Sequence, residues 1–408
     1  MCNTRIKHLI YLTLLLFSMA IVAITLITLA KASPTKALTN LDVYYPGTED
    51  LAPDEMRVIA LGTGMPTIRP KQAAACFLVE LGNGDKFLFD IGYGSVQRLS
   101  AMKIPMDYLD KVFIGHLHMD HFGDLDALWI GGVKMNRTFP LRVWGPNGTT
   151  PEMGTEYAID GLKRMLNWDA ETLKGLLDTR GEKIEVFEFN YKGVNEVIYE
   201  ENGVTIRSIP AVHTTDGAVS YILEWNGLSF AYSSDTFPNK WWIEHTEGVD
   251  ISVHESFSSP QILLDKQNYR PEFSLALSVF KHTSPQQFGK VMAMTKPRLA
   301  VGFHFYNDHD TLPLMLEEIR KTYDGPLALA TDYMVFNINK EDITIRMAAI
   351  DEEIWPSSAT RPKETTGVSD SFSDFTKSGK EPMWDIVKNI YREFNEKNNT
   401  DVPIPGQK

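Results

Sequence analysis

The chain carries the segment His116-Leu117-His118-Met119-Asp120-His121, which places three histidines and one aspartate within six residues. The segment directly follows an apolar, strand-like run at 111–114. In a tight turn, His116 and His118 can point to one side while Asp120 and His121 reach a second centre. Imidazole nitrogen and carboxylate oxygen are suitable ligands for zinc and related cations. The segment therefore predicts two neighbouring metal ions rather than a solvated histidine-rich loop.

Three later residues can complete these two centres, because each follows a predicted strand. They are His213, Asp235 and His304. Functional sites of α/β folds gather at the carboxyl ends of strands. A lone histidine at such a place is more often structural, so each of the three residues is weakly informative by itself. Together with the cluster they form a candidate ligand set: His116, His118, Asp120, His121, His213, Asp235 and His304.

Short β-type runs occur in two series along the chain, with helical patterns between them. The first series falls at 57–61, 76–80, 86–91, 111–114 and 141–144, and the second at 184–189, 196–200, 204–209, 219–224 and 228–232. Further strands at 299–303 and 327–330 enclose a helical pattern at 312–322, and helices are predicted near 260–280 and 284–295. This pattern predicts an α/β fold of stacked sheets flanked by helices.

Composition excludes several classes of protein. The 408 residues are 43% hydrophobic and 23% charged, with a formal net charge of −13. Such a composition excludes collagen, coiled coils and wholesale disorder, and the acidic balance argues against broad nucleic-acid binding. The two cysteines, Cys2 and Cys76, exclude a disulfide scaffold and a cysteine-rich zinc module.

The first 32 residues resemble a targeting segment. Arg5 and Lys7 precede an uncharged run at 9–30, and Ala30-Lys31-Ala32 offers a small-residue cleavage site. These features predict a secretory signal peptide cleaved after Ala32. The alternative is an uncleaved membrane anchor, since the run is long enough to span a bilayer. Either reading exports the rest of the chain, to the periplasm or the exterior.

The remainder divides by composition into four parts. Residues 33–55 are predicted to be an irregular leader, and 56–350 a single folded domain with an insertion at 149–200. Residues 351–381, rich in Ser, Thr, Pro and Lys, are predicted to be a linker. Residues 382–408 are predicted to form an amphipathic C-terminal helix and a tail. That helix is expected to dock on the domain, with a partner contact as the alternative.

The spacing H-x-H-x-D-H, followed by the separate His, Asp and His, resembles the metallo-β-lactamase superfamily. Within it the chain is similar to the ribonuclease Z-like branch, which also holds zinc-dependent alkyl- and arylsulfatases. Leu61-Gly62-Thr63-Gly64 and Asp90-Ile91-Gly92-Tyr93-Gly94 are similar to two early motifs of that branch. His254-Glu255-Ser256 and His282-Thr283-Ser284 are similar to two later ones. The resemblance implies a four-layer αββα sandwich.

The resemblance also implies roles for individual residues. His116, His118 and His213 would hold one zinc ion, Asp120, His121 and His304 a second, and Asp235 would bridge them. Asp90 would orient a ligand histidine, although a turn-capping role is as well supported. Asp120 would orient the attacking hydroxide. His282, held by Glu255, would protonate the leaving group, and His254 would steady that loop. His282 could equally be a residue at a helix start.

These features predict an exported dinuclear zinc hydrolase of small anionic esters, either aryl or alkyl sulfates or phosphodiesters. Alternatives are a ribonuclease Z-like endonuclease, then a lactonase or β-lactamase. The acidic segment 149–200 lacks the basic arm of the tRNA nucleases, so nucleic acid is not the expected partner. A di-iron oxidoreductase is disfavoured because His118 stands where those proteins have glutamate. A fold relative without catalysis is disfavoured by the complete ligand set.

Four residues are candidates for contact with substrate: Trp241, Trp242, Arg69 and Lys134. The two tryptophans follow the bridging Asp235 and could form an aromatic wall, although core packing is their usual role. Arg69 and Lys134 are candidate anion contacts. A membrane contact is expected only if the N-terminal segment stays uncleaved, and a homo-oligomer is left open.

Overall fold

The computed structural model describes residues 42–174, 176–355 and 372–403. The predicted signal or anchor segment, 1–32, lies outside these residues. Within the described part of the chain, no helix is long and apolar enough to cross a membrane.

Two β-sheets form the centre of the domain. Their strands, in chain order, are β1 Asp42–Tyr44, β2 Met56–Gly62, β3 Cys76–Leu81, β4 Lys86–Phe89, β5 Lys111–Phe113, β6 Leu141–Pro146, β7 Ile184–Phe189, β8 Glu196–Glu201, β9 Val204–Pro210, β10 Val219–Trp225, β11 Leu228–Tyr232, β12 Ile251–Glu255, β13 Leu299–Phe303, β14 Leu327–Leu329, β15 Met334–Ile338 and β16 Ile343–Ala348. One sheet has the order β1-β16-β15-β2-β3-β4-β5-β6-β7 and the other β14-β13-β12-β11-β10-β9-β8.

The α-helices connect and cover these strands. They are α1 Ser95–Ala101, α2 Met119–Phe122, α3 Leu125–Lys134, α4 Thr155–Met165, α5 Asn167–Leu173, α6 Lys240–His245, α7 Pro260–Gln267, α8 Pro271–Ala276, α9 Pro285–Thr295, α10 Leu312–Arg320, α11 Asp374–Ser378 and α12 Trp384–Asn398. Short 3-10 turns lie at Met106–Tyr108, Pro151–Met153 and Arg180–Glu182, and a π-helical turn at Leu277–Lys281.

Three hydrophobic clusters define four layers. An aromatic core joins both sheets and includes Phe89 and Phe113 from the first sheet, and Tyr221 and Phe230 from the second. A second cluster joins the first sheet to α1, α3 and α4, and a third joins the second sheet to α6, α9 and α10. Burial of apolar area on both faces of each sheet is the main stabilising term of such layers. The arrangement is the predicted αββα sandwich.

The directions of the strands place the predicted site residues close to one another. Strands β4, β5 and β6 run parallel to one another in the first sheet. In the second sheet β11, β12 and β13 are parallel, and β9 has the same direction because it reaches β11 through two antiparallel pairings. Their carboxyl ends therefore meet at one edge of the sandwich, where side chains from both sheets can converge.

The structure corrects several boundaries. Strand β1 lies inside the predicted leader 33–55 and pairs with β16, so the folded unit begins before residue 56. The segment 149–200 is part of the sandwich, because it supplies α4, α5 and an edge strand of each sheet. The helix predicted near 260–280 is broken at Asn268, which has a φ of 53°, and restarts at Pro271. A left-handed residue ends a helix, and proline suits the first turn of the next one.

The C-terminal part also differs from expectation. Helix α11 falls inside the predicted linker 351–381, of which residues 356–371 lie outside the described part. Helix α12 is present and amphipathic, yet it buries none of its side chains. Trp384, Ile390 and Phe394 are each more than two-fifths exposed. The expected docking of this helix on the domain is therefore absent among the described residues.

Candidate metal centre

The first group of candidate ligands consists of His116, His118, His213 and Asp235. His116 Nε2 lies 2.9 Å from His118 Nδ1, and His213 Nε2 lies 3.3 Å from the same atom. Asp235 Oδ2 is 3.6 Å from His213 Nε2 and 3.9 Å from His116 Nε2. Three imidazole nitrogens and one carboxylate oxygen thus converge on a space that a single cation would fill.

The second group consists of Asp120, His121, His304 and, again, Asp235. Asp235 Oδ1 lies 3.2 Å from His121 Nε2 and 3.3 Å from His304 Nε2. Asp120 Oδ2 is 3.1 Å from His304 Nε2 and 3.4 Å from His121 Nε2. The two oxygens of Asp235 therefore face different groups, which is the geometry of a carboxylate that bridges two ions.

Unpartnered atoms show that these residues fit metal ions. His121 Nε2 and Asp235 Oδ1 are buried and have no hydrogen-bond partner in the described part of the chain, although they face each other. A buried polar atom without a partner is costly, and a shared cation would satisfy both atoms. The donor set of nitrogen and carboxylate oxygen without thiolate also fits zinc.

The electrostatics of the two groups differ. Burial holds the pKa of His116 well below its usual value and lowers the pKa of His213 to about 4, so both rings are neutral and ready to coordinate. Burial opposes the charge of His304 as well, but Asp235 and Asp120 outweigh it and raise the pKa of His304 to about 10. Protons on the second group thus balance its carboxylates, and a divalent cation would replace them.

Asp90 holds His121 from behind. Its Oδ2 accepts hydrogen bonds from His121 Nδ1 at 2.6 Å, the Tyr232 hydroxyl at 2.7 Å and the Ser234 hydroxyl at 2.9 Å, and its Oδ1 accepts from the Gly115 backbone N–H at 2.7 Å. Asp90 is fully buried, with a φ of 56°. A carboxylate on Nδ1 leaves Nε2 of the imidazole as the ligating atom. The structure thus places Asp90 in position to orient His121.

His282 and Glu255 form a second buried pair beside the ligands. His282 Nδ1 lies 2.9 Å from Glu255 Oε2 and 3.7 Å from Asp235 Oδ2. The Phe257 ring stacks on His282, with centroids 3.9 Å apart and planes at 9°. Burial would raise the pKa of Glu255, but His282 outweighs it and the pKa is lowered. The imidazole is therefore fixed by a charge on one edge and a ring on one face.

The loop after β2 supports His304. His304 has a φ of 71°, a strained value for a non-glycine residue, and its backbone N–H donates to the Thr63 carbonyl at 2.9 Å. The Asp332 carboxylate accepts from both the backbone N–H and the hydroxyl of Thr63. The Leu61-Gly62-Thr63-Gly64 segment therefore contributes to the centre by holding the backbone of one ligand.

Curated relatives match about half of this chain. A ribonuclease Z of Mycobacterium sp. (strain KMS) is 30% identical over 217 residues, which is 52% of this chain and 72% of the relative. A ribonuclease Z of Mycobacterium marinum is 29% identical over 206 residues, 49% of this chain and 70% of the relative.

The chain belongs to the metallo-β-lactamase superfamily, in its ribonuclease Z-like branch.

The family model described as "Anti-Pycsar protein Apyc1" matches residues 56–258. Two solved structures share the fold of this branch at 16% sequence identity. The metallo-β-lactamase fold protein YhfI of Bacillus subtilis has a TM-score of 0.52, covering 70% of this chain and 100% of its own. The short form of human tRNase Z has a TM-score of 0.51, covering 68% of this chain and 98% of its own. The family and the assembled ligands together make this chain a metallo-hydrolase.

Two of the other candidate residues, Trp242 and His254, lie away from the candidate metal centre. Trp242 is fully buried and packs edge-on against the His254 ring, so it cannot contact substrate. His254, predicted among the catalytic residues, points away from the ligands into the same core, and its Nδ1 faces the Glu255 carbonyl at 2.7 Å. Strand residues alternate between faces, so only one of His254 and Glu255 can face the centre.

The two candidate anion contacts are already engaged. Lys134 pairs with Asp169 at 3.1 Å on an exposed surface and lines neither described cavity. Arg69 pairs with Asp308 at 2.6 Å and lies over the Tyr306 ring. Trp241 lines a cavity of about 370 Å³ that also includes His213, so it remains a candidate wall.

Sequence reasoning missed several supporting residues. Tyr232 and Ser234 hold Asp90, and Phe257 stacks on His282. Tyr232 and Ser234 lie three residues and one residue before Asp235, and polar residues beside a ligand were the available signal. Phe257 carried no such signal, because an apolar residue two positions after Glu255 reads as ordinary core.

Proposed function

We propose that this protein is a dinuclear zinc hydrolase that cleaves small anionic phosphodiesters. The observation that carries the proposal is Asp235, whose two carboxylate oxygens face separate groups of histidines. Zinc ions bound in these groups would lower the pKa of water and neutralise charge on the transition state. His116, His118 and His213 would hold one ion, and Asp120, His121 and His304 the other.

Two residues of the chain are placed to act on the attacking water and on the leaving group. Burial would raise the pKa of Asp120, but His121 and His304 hold it well below its usual range, so this carboxylate is ionised. The ionised carboxylate of Asp120 is thus able to orient an attacking water. Glu255 engages Nδ1 of His282, which leaves Nε2 as the nitrogen that donates a proton to the departing alkoxide.

The choice of phosphodiester over sulfate ester rests on the relatives, which are named as ribonucleases. Several properties argue for a small ester rather than RNA. The chain has a net charge of −13, and the segment 149–200 forms helices and edge strands of the sandwich rather than a basic arm. Nucleic-acid binding depends on clustered Lys and Arg. Aryl and alkyl sulfates are the alternative substrates, which the predicted exported location allows.

The test is to measure bound metal by mass spectrometry and to assay bis-p-nitrophenyl phosphate beside p-nitrophenyl sulfate. Asp120→Ala should abolish turnover, whereas Asp126→Ala, six residues later in the chain and outside both ligand groups, should leave it unchanged. Hydrolysis of the diester with about two zinc ions per chain supports the proposal. Sulfate hydrolysis alone would replace the substrate class, and iron or less than one metal per chain would overturn the mechanism.

We further propose export of the protein, on the strength of the N-terminal segment 1–32. N-terminal sequencing of the protein from fractionated cells tests this. A chain that begins at Ser33 in a soluble, non-cytoplasmic fraction supports a cleaved signal. A chain that retains residues 1–32 in the membrane fraction supports an anchor, and an intact chain in the cytoplasm refutes export. Size-exclusion chromatography with light scattering tests the homo-oligomer.

A further inference from the structure

A cavity of about 360 Å³ opens beside the first ligand group. The ligands His116, His118 and His213 form one of its walls. Its size lies near the lower end of cavities that bind small molecules, about 300–1,000 Å³. A substrate group that fills this cavity is therefore small, and it lies close to the metal centre.

Part of the remaining lining of this cavity is apolar. Its lining includes Leu117, Pro146, Met153 and Ala158. Met153 is 47% exposed in the structure, so its side chain is available to cover an apolar group. Apolar walls with a few polar groups at one end are typical of sites that bind an uncharged substituent.

The Met153 wall is held rigidly against the sandwich. A Cβ built on Gly148 would lie 2.3 Å from Met153 Cβ, so the turn Pro151–Met153 packs directly on this glycine. The buried Thr155 hydroxyl, at the start of α4, donates to the Pro146 carbonyl at 2.8 Å. The Glu188 carboxylate accepts from the Glu156 backbone N–H at 2.8 Å. Because these contacts anchor the turn, the shape of the cavity is set before substrate arrives.

Apart from the histidines, the ionisable residues that line this cavity are acidic. Among the described residues, no lysine or arginine lines this cavity, whereas Glu152 and Asp216 do. Lys192 lines only the adjoining cavity of about 370 Å³, which shares Asp216. Asp216 accepts a hydrogen bond from the Tyr191 hydroxyl at 3.3 Å. A second phosphate placed here would lack a cation and would face two carboxylates.

We infer that this cavity binds the uncharged, partly apolar substituent of a phosphodiester with a single negative charge, and that Glu152 and Asp216 select against substituents bearing a further phosphate. Met153 supplies the apolar contact. The inference rests on the proposed function, since it names the substrate class of the same centre.

The charge selection is tested with two diesters that share one leaving group. They are thymidine 5′-(p-nitrophenyl phosphate) and the same compound with a 3′-phosphate. The wild-type full chain should show kcat/KM about tenfold lower for the second compound, as expected for about 1.4 kcal/mol of charge repulsion. Glu152→Lys should reduce this ratio to about threefold or less, because it reverses one of the charges. Glu341→Lys makes the same charge change in the exposed turn between β15 and β16, outside both described cavities, and should leave the ratio unchanged.

The apolar contact is tested with two further diesters of the same leaving group. Met153→Ala should raise KM for bis-p-nitrophenyl phosphate about fivefold, from partial loss of a methionine contact, and leave KM for methyl p-nitrophenyl phosphate within about twofold. Tyr157→Ala, an exposed residue of α4 outside both cavities, should change neither value.

Each result bears on the inference separately from the proposed function. Equal kcat/KM for the two thymidine diesters, or an equal effect of Met153→Ala on both aryl and methyl diesters, would overturn the inference while hydrolysis itself continues. No hydrolysis of any diester by the zinc-loaded protein would overturn the proposed function, and the inference with it.

Discussion

Replacement of Asp90 by asparagine should weaken the binding of one of the two metal ions selectively. Asp90 Oδ2 accepts three hydrogen bonds, including the one from His121 Nδ1, and Oδ1 accepts one from Gly115. An amide has one oxygen, so at least one of these donors would face an NH2 group. Asparagine tolerates the φ of 56°, so the backbone is not strained by the change.

The magnitude follows from the bonds that change. Loss of the carboxylate charge on His121 Nδ1 removes a charge-assisted hydrogen bond, and such bonds contribute about 1.5–3 kcal/mol. Changes to residues that orient a metal-ligating histidine weaken metal binding by about 10–100-fold, which corresponds to a similar energy. We therefore expect zinc affinity at the group of Asp120, His121 and His304 to fall about 10–100-fold, with little change at the group of His116, His118 and His213.

The assay is a zinc titration in competition with a chromophoric chelator, which resolves the two sites by their affinities. Asp124→Asn is the matched control, because Asp124 lies three residues from His121 and accepts from the Val96 backbone N–H rather than from a ligand. Wild-type affinity at both sites in Asp90→Asn would refute the orienting role. An equal loss at both sites, together with a lower unfolding temperature, would show that Asp90 acts on the fold as a whole.

Three further predictions address catalysis, the thiol and the core. His282→Gln should lower kcat about 100-fold or more for a diester with an alkyl leaving group. It should lower kcat only slightly for p-nitrophenyl esters, because p-nitrophenolate departs without a proton. Equal losses for both kinds of ester would contradict the proton-donor role. Burial raises the pKa of the Cys76 thiol well above its usual value, so iodoacetamide should label Cys76 after denaturation but not in the native protein, as read by peptide mass spectrometry. Labelling at equal rates in both states would contradict this burial. Phe113→Ala should destabilise the domain by about 3–5 kcal/mol in calorimetry, since Phe113 is fully buried and stacks on Trp144, whereas Trp168→Ala, at a side chain 79% exposed, should change stability little.

The fold was predictable where hydrophobic patterns are strong. Strands β2 to β11 and β13 to β14 follow apolar runs that sequence analysis locates, and the branch resemblance implies their stacking. Strands β12, β15 and β16 were missed, although β12 carries Glu255 and β15 pairs with β2 in the first sheet. Strand β1 was also missed, because a three-residue strand carries too short a period to detect and forms only by pairing with β16. Such elements depend on partners distant in sequence.

The candidate site, like the fold, was predictable from the sequence only in part. The seven candidate ligands could be named from the motif and from their places after strands, because the local chemistry of His and Asp is visible in the sequence. The roles of Trp242 and His254 could not, since a tryptophan beside a ligand and a histidine beside a glutamate look functional until their face of the element is known. The structure buries both in one core.

The amino-acid sequence alone specifies the donor atoms of the centre, because ligand chemistry belongs to the side chain. The tertiary structure alone decides which oxygen of Asp235 faces which group and that Asp90 supports His121. It also places beside the ligands a small cavity whose described lining holds no lysine or arginine. These features join residues from both sheets that are up to 184 positions apart, as with Asp120 and His304. Such distances close only when the two sheets pack, because burial of the aromatic core between them aligns the carboxyl ends of their strands at one edge.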